Sequence, residues 1–208
     1  MLLTDALFAM AVEEARQNAV SQVSDGAFDG AVDCECYQTG ELWSWVWTRD
    51  IAYATELSLA WLDPDRAASS LLFKLSEEKS GGNLQIVQDT GTGGSWPVST
   101  DRVSWARGAM AVLRYADHAE LREAAIEAMT NTAAVDRLYA FDARDGLYRG
   151  ETSFLDWREQ TYPAWMAGNV VHIGMSKSLS TNLDHLFMLR SLEAVSYTHL
   201  RAHETDTD

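Results

Sequence analysis

The hydrophobic positions along the chain recur mainly with the spacing of helix faces. In the first segment, apolar residues at positions i, i+3, i+4 and i+7 predict one face of a helix: Phe8, Ala11, Val12 and Ala15. A segment rich in Gly and Asp at residues 25–30 then ends this helix. Residues 31–47 alternate loosely between polar and apolar side chains, which predicts a strand pair or an extended loop.

Two helical hairpins follow this region. Residues 50–62 predict a helix with apolar side chains on more than one side, a pattern typical of a buried helix. Asp63 and Pro64 end that helix and begin the next, because Pro is favoured at the first helical position. After a loop, a second hairpin begins near Asp101 and turns at residues 117–118. The residues predicted to face inward are Ala68, Leu71, Leu72, Leu75, Val103, Ala106, Met110, Leu113, Leu121, Ala125 and Ala128.

A further helix is predicted after a long loop at residues 141–178. Thr181 and Asp184 have the spacing of a capping box at its start. Its inward side would be apolar and short: Leu183, Leu186 and Phe187. Because helical hairpins alternate with long loops, and no convincing strand–helix–strand alternation is present, the sequence predicts an all-α fold. In a ring of such hairpins the long loops can gather at one end and build one site from several elements.

Composition and charge exclude several classes of function. A chain of 208 residues with 47% hydrophobic content can bury a core. Its net charge of -15 repels phosphate backbones and anionic lipid headgroups, so we expect neither nucleic acid nor a membrane as a partner. No stretch reaches the length of a membrane span. The first residues lack the basic and apolar regions of an export signal, and the cellular location stays undetermined.

The cysteines and histidines do not have the spacing of a metal site. Cys34 and Cys36 are separated by one residue, which is poor geometry for a mutual disulfide and supplies half of a zinc site at most. His118, His172 and His185 share no metal-binding spacing. We therefore expect no metal ion and no other cofactor.

Tryptophan is concentrated near the loops. Most of the 8 tryptophans lie in or beside segments rich in Gly, Ser and Asp, whereas Trp61 is expected to pack at a helix end. A flat indole ring covers the apolar face of a sugar, while carboxylates and guanidinium groups bind its hydroxyls. The first long loop ends in Trp47-Thr48-Arg49-Asp50, which combines these groups. Asp50 could also serve only as a cap for the following helix.

The segment Trp47-Thr48-Arg49-Asp50 resembles the Trp-Thr-Arg-Asp segment of glucoamylase-type α/α-barrel glycoside hydrolases. In that class the Arg and the Asp bind hydroxyls of the terminal sugar. The resemblance therefore implies this role for Arg49 and Asp50, with Trp47 beside them. The neighbouring tryptophans favour sugar binding over simple helix capping.

The second long loop contains glycines that could suggest a phosphate-binding loop. No Gly-Lys-Ser/Thr ending follows them, so we exclude nucleotide binding. The run from Gly94 to Arg107 resembles the Trp-Pro-Asp-Arg loop of the same hydrolase class, which lines the sugar pocket. The resemblance implies substrate-binding roles for Trp96, Asp101 and Arg102, and Asp101 can cap its helix at the same time.

The third long loop contains the candidate catalytic acid. Glycoside hydrolysis generally needs one carboxylic acid to protonate the leaving oxygen and a second carboxylate to activate water or attack the sugar. Residues 153–160 resemble the acid-bearing loop of the related barrels. Asp156 is the first candidate, because Phe154 and Trp157 can desolvate it and favour its protonated form. Trp157 would also contact the substrate, and Glu159 is the alternative acid because the glucoamylase acid follows a tryptophan.

Together the three loops resemble those of bacterial six-hairpin glycosidases, near the mannosylglycerate-hydrolase-like and glucosidase families. The resemblance implies an inverting, exo-acting hydrolase of oligosaccharides or glycosides, built on an incomplete α/α toroid with its long loops on one rim. Residues 1–194 would be the N-terminal part of one catalytic domain, with the catalytic base in a missing C-terminal half. Residues 195–208 look like a translated sequencing adapter, and the fragment itself would be inactive.

Two other kinds of protein remain as alternatives. A noncatalytic carbohydrate-binding protein would use the same aromatic and polar loops. A sugar epimerase or polysaccharide lyase could use the same toroid, but such enzymes commonly rely on His or Tyr bases, whereas these loops offer carboxylates.

Overall fold

The protein is mostly helical in the computed structural model, with 60% helix and 15% strand. The structure describes residues 2–24, 30–77, 81–88, 101–152, 162–166 and 168–205. The predominance of helix confirms the prediction that the chain is mainly helical. Among the described helices, none combines the length and the apolar character needed to cross a bilayer.

The elements follow one another in a simple order. The helices are α1 (Leu3–Asn18), α2 (Thr48–Ala54), α3 (Ala60–Leu62), α4 (Pro64–Leu72), α5 (Trp105–Tyr115), α6 (Ala119–Tyr139), α7 (Val170–Gly174) and α8 (Leu179–Thr205). A π-helix (Thr55–Leu59) joins α2 to α3, and a 3-10 turn (Asp101–Ser104) leads into α5. The strands form antiparallel pairs: β1 (Ala19–Ser24) with β2 (Ala31–Tyr37), β3 (Leu75–Ser76) with β4 (Gln85–Ile86), and β5 (Phe141–Asp142) with β6 (Leu147–Tyr148).

The hydrophobic core lies around α5, which contacts α2, α4, α6 and α8. The inward faces predicted for the two central hairpins are confirmed, since each of these residues is buried or packs partly buried against the core. Gly108 allows the closest approach, because a Cβ atom there would lie 3.1 Å from the Cα of Ala52. Asp63 caps α4 by accepting a hydrogen bond from the backbone N–H of Arg66, with Pro64 in the first turn as predicted.

The first helix forms as predicted, but its apolar face is not buried. Phe8 and Val12 are exposed, and of the predicted face only Ala15 packs against the core, where it is partly buried. The helix ends at Asn18, before the predicted exit at residues 25–30, because residues 19–24 form β1. The first part of residues 31–47 is extended, as predicted, but this strand, β2, pairs with β1 and not with a second strand of the same segment.

The two cysteines lie close together on β2. Side chains two residues apart in a strand point to the same face. The structure pairs Cys34 with Cys36, a pairing that their spacing did not favour.

The last helix differs from its prediction at both its start and its inward face. The backbone N–H of Thr181 donates to Ser178, and α8 begins at Leu179, so the predicted capping box is wrong. Leu183 and Leu186 are exposed. Of the predicted face, Phe187 packs partly buried against the core, but the buried residues on this side of α8 are Thr181, Asp184, His185 and Met188. Hydrogen bonds to other elements allow the polar members of this face to be buried.

The helix continues past the predicted domain boundary. α8 runs to Thr205, and Val195 is buried against the core. The junction between residues 194 and 195, at which the sequence predicts a non-native tail, therefore does not coincide with the end of an element.

Candidate functional site

A polar cluster of four side chains lies where the first two turns of α5 and α8 meet the segment formed by α2 and the π-helix. We call Tyr53, Glu56, Arg107 and Asp184 the polar cluster. Arg107 donates from Nε to Asp184 Oδ1 at 2.6 Å and from Nη1 to Glu56 Oε1 at 3.3 Å. Tyr53 Oη donates to Asp184 Oδ2 at 3.2 Å. The Asp184 side chain is 1% exposed, whereas those of Arg107 and Glu56 are 25% and 32% exposed.

The guanidinium of Arg107 is held as a cation in a fixed orientation. Burial acts to lower its pKa, but the hydrogen bond to Asp184 and the charges of Asp184 and Glu56 outweigh this effect and raise the pKa above its ordinary value. The ring of Phe187 lies 4.9 Å from the guanidinium carbon. The polar cluster therefore joins a buried carboxylate to a cation and a second carboxylate that both reach solvent.

Sequence reasoning missed the polar cluster, although a signal for it is present. Arg49, Tyr53 and Glu56 recur at i, i+4 and i+7, which is the spacing of one helix side. Asp184 continues a polar stripe of α8 that begins at Thr181. Polar residues at helical spacing within apolar helices could have suggested a shared interior. Glu56 also lies on a π-helix, and such bulges are frequent at functional sites.

The tryptophans of the first long loop form a partly exposed aromatic surface at the start of α2. The ring centroids of Trp43 and Trp47 are 5.3 Å apart, and those of Trp45 and Trp47 are 6.0 Å apart in a stacked arrangement. Trp43 is 47% exposed and Trp45 is 38% exposed. The backbone N–H of Thr39 donates to the carbonyl of Trp45 at 2.8 Å, which fixes the loop. We call these three tryptophans the tryptophan platform.

The predicted sugar-binding residues beside this platform lie on different sides of α2. Trp47 precedes the helix, so Asp50 lies in its first turn and is not the N-cap residue. Asp50 lines a groove of about 290 Å³ between α1 and α2, together with Glu14 and Gln38. Arg49 is half-buried and precedes Tyr53 by one turn, on the side of the polar cluster.

The start of α2 is tied to the beginning of the second long loop. The hydroxyl of Thr48 is fully buried and donates to the backbone carbonyls of Val87 and Gln88. Gln88 is the last described residue before the second long loop. The second long loop therefore begins beside the segment that carries Trp47 and Arg49.

The other end of the second long loop supports the site from within the core. Arg102, predicted to bind substrate, is fully buried, and its Nη2 lies 2.5 Å from Asp136 Oδ1. Asp136 Oδ2 also lies 3.1 Å from His185 Nε2, so this buried network joins the start of α5 to α6 and α8. Asp101 opens the 3-10 turn, and its side chain lies outside the described part of the molecule.

The start of the third long loop lies against the first turn of α8, and Tyr162 at its other end contacts Thr152. The backbone carbonyl of Glu151 accepts a hydrogen bond from the hydroxyl of Thr181. The backbone N–H of Thr152 donates to Tyr162 Oη at 3.0 Å. The hydroxyl oxygen of Thr152 lies 3.0 Å from the hydroxyl oxygen of Ser180. Since Asp184 follows Thr181 by about one helical turn, the third loop opens beside the polar cluster.

Several predicted site residues lie outside the described residues: Trp96, Asp156, Trp157 and Glu159. Within the part that the structure describes, His, Cys, Asp and Glu side chains form no group that could hold a metal ion. Comparison with models of protein families, with curated proteins and with solved structures finds no match for this chain.

Proposed function

We propose that this protein is a glycoside hydrolase of the α/α-barrel type that acts on a terminal sugar. One observation carries the proposal. The three long loops lead into α2, α5 and α8, and residues in the first two turns of these helices form part of the polar cluster or lie next to it. Loops that open at the same end of adjacent helices can build a single site. In the proposed toroid these three helices form the inner layer, with α4 and α6 packed outside α5.

The proposed sugar site has an aromatic rim and polar walls. The exposed indole rings of the tryptophan platform provide flat apolar surfaces for a sugar ring. Arg49 binds hydroxyls from the side of the polar cluster, and Trp96 and Asp101 line the pocket from the second loop. Asp50 lines the groove between α1 and α2 and binds hydroxyls from that side. Arg102 contributes from within the core. Its ion pair fixes Asp136, and Asp136 in turn fixes the start of α8.

Catalysis is assigned to the third long loop. Asp156 protonates the leaving oxygen, with Glu159 as the alternative acid, and Trp157 contacts the substrate. The anchoring of Glu151 and Thr152 on α8 supports this role, because it holds the start of the loop about one helical turn from Asp184. In an inverting reaction a base stands roughly 6.5–9.5 Å from the acid, which leaves room for a water. The base is not assigned to a residue of this chain.

A noncatalytic carbohydrate-binding protein is the second candidate function. The tryptophan platform favours it, since its rings are accessible without any contribution from the third loop. Stacking on such a surface binds a sugar without changing it. Measurements of binding and of hydrolysis separate the two functions.

Binding to the tryptophan platform tests the part that both candidates share. We expect saturation-transfer NMR to detect contact between the protein and neutral methyl glycosides. Trp45→Ala should weaken this binding by about tenfold, because it removes a stacked ring worth about 1 kcal/mol or more. Trp61→Ala is the matched control, since Trp61 is also exposed but lies at the far end of the helical segment. Equal effects of the two substitutions would contradict a sugar site at the platform.

A further inference from the structure

The groove between α1 and α2 has a volume of about 290 Å³, and small side chains keep it open. Ala11 and Ala15 line it from α1, while Ala54 and Ser58 line it from α2 and the π-helix. The members of each pair are four residues apart and therefore lie on one side of their helical segment. Ile51 is buried and gives the groove an apolar floor. The groove thus has the apolar lining of a small-ligand site and nearly the volume at which such sites begin, about 300 Å³.

Three polar side chains around the groove are available to a ligand. Glu14 and Asn18 line it from α1, and Gln38 lines it from the residue that follows β2. Within the part of the chain that the structure describes, these three side chains make no hydrogen bond and no ion pair. They offer one carboxylate and two amides, so donors and acceptors stand over an apolar floor. A sugar ring presents the matching groups, because its hydroxyls both donate and accept while its CH groups are apolar.

The charges around the groove disfavour an anionic ligand. Among the described residues that line the groove, Glu14 and Asp50 carry charge and both are acidic. Two neighbouring cations are placed elsewhere. Arg49 lies on the side of α2 that carries the polar cluster, and Arg16 is paired with Glu13 on α1. A phosphate or a carboxylate binds best to guanidinium or ammonium groups, so the lining favours an uncharged sugar.

The groove meets the tryptophan platform at Thr39. This residue lines the groove, its backbone N–H donates to the carbonyl of Trp45 at 2.8 Å, and its hydroxyl accepts from the N–H of Trp47 at 3.3 Å. Asp50 and Ile51, which line the groove, follow Trp47 by three and four residues and so lie on the same side of α2 as Trp47. The platform and the groove therefore adjoin each other at the start of α2.

We propose that the groove is a subsite for the second, uncharged ring of an oligosaccharide whose first ring stacks on the tryptophan platform. This inference rests on the proposed function and names its ligand as a chain of at least two sugars. The floor contacts the CH groups of the second ring, and Glu14, Asn18 and Gln38 bind its hydroxyls. Since α1 forms one wall and has no buried residue of its own, the bound ligand also joins α1 to α2.

Glycosides with one and two rings test the subsite. Saturation-transfer NMR on the full chain compares methyl glucoside, methyl mannoside and methyl galactoside with the methyl glycosides of the corresponding α- and β-linked disaccharides. We expect at least one disaccharide to bind about tenfold more tightly than its single ring, because it makes two or more additional hydrogen bonds. Ala11→Leu narrows the groove and should reduce this gain to less than about twofold. Ala134→Leu makes the same change on the exposed side of α6 and should preserve the gain.

Two further measurements do not depend on the folding of Ala11→Leu. The side chain of Gln38 makes no hydrogen bond to another described residue, so Gln38→Ala should fold normally and weaken disaccharide binding by about threefold or more. In the native protein, the backbone amides of α1 should exchange hydrogen at least about threefold more slowly with the disaccharide bound than with the single ring bound.

The outcomes separate this inference from the proposed function. Equal affinity for one and two rings, or a gain that survives both Ala11→Leu and Gln38→Ala, would overturn the subsite while sugar binding at the platform stands. Protection of α1 that rises with protein concentration and not with sugar would show that a second copy of the chain fills the groove, and would also overturn it. If the native protein binds none of the glycosides, the proposed function fails and this inference fails with it.

Discussion

Arg102 and Asp136 form an ion pair from which water is excluded, since both side chains are 0% exposed. Removing one partner of such a pair leaves an uncompensated buried charge, which costs about 3–5 kcal/mol. We expect Asp136→Ala to lower the free energy of unfolding by about this amount in a urea titration. Asp117→Ala, which breaks the exposed pair with Arg122, should leave the free energy nearly unchanged. Similar unfolding midpoints for the two variants would show that the buried pair does not hold α6 to the start of α5.

The assignment of the catalytic acid can be tested by two substitutions in the third long loop. Asp156→Asn removes the donated proton and nearly preserves shape. Hydrolysis of glycosides with poor leaving groups should therefore fall by about two to four orders of magnitude, while binding survives. Activated aryl glycosides need less protonation and should lose much less rate. Loss of activity in Glu159→Gln alone would identify Glu159 as the acid, and full activity in both variants would refute the role of this loop.

The sequence could locate individual candidates but not their partners. The segment from Trp47 to Asp50 does lie beside an exposed aromatic surface, as its composition predicts. Arg102 was predicted to bind substrate from the resemblance of its loop to a sugar-pocket loop. Neither composition nor spacing relates it to Asp136, which lies 34 residues away. Arg107 and Asp184 are separated by 77 residues, and only the packing of α5 against α8 brings them together.

At the scale of elements, regular hydrophobic spacing predicted the central helices and failed at α1 and α8. The faces of α4, α5 and α6 were predictable because they pack on one another within the described core. In α8 the apolar residues Leu183 and Leu186 have helical spacing, yet the buried side contains Asp184 and His185. Burial of those polar groups depends on hydrogen bonds from Arg107, Tyr53 and Asp136, which periodicity does not reveal.

The hairpin of β5 and β6 is fixed to the start of α8 by the carboxylate of Asp142. Hydrogen bonds from Arg144 above all, and also from Lys177 and Arg149, hold the pKa of Asp142 well below its usual range. An unfolded Asp has a pKa of about 3.9, so the unfolded chain takes up the proton first as pH falls. The stabilisation by Asp142 is therefore fully present above about pH 5 and is lost as pH falls below about 4.

This pH dependence can be measured with one substitution. Asp142→Asn should lower the free energy of unfolding by a constant amount between about pH 5 and 7, and the difference from the native protein should shrink between about pH 4 and 3. Urea titrations at each pH provide the measurement. A difference that persists undiminished to pH 3 would show that Asp142 stabilises the hairpin through its shape and not through its charge.

For the whole molecule, α1 and α8 each expose several apolar side chains. Those of α1 include Leu3, Leu7 and Met10, and those of α8 include Leu179, Leu183 and Leu186. In the proposed toroid these two faces would pack on neighbouring hairpins. Large exposed apolar surfaces promote association. We therefore expect the protein to self-associate or to unfold readily.

Sedimentation of the purified chain tests this expectation. Replacing Leu183 and Leu186 together with Gln should raise the dissociation constant of the associated form by at least about tenfold, since burying each Leu contributes about 1.5–3 kcal/mol. Leu138→Gln is the control, because Leu138 is exposed on α6 and belongs to neither of these two faces. A protein that sediments as a monomer and unfolds in one sharp thermal transition would contradict the idea that these faces require a partner, and would favour a closed structure over a partial toroid.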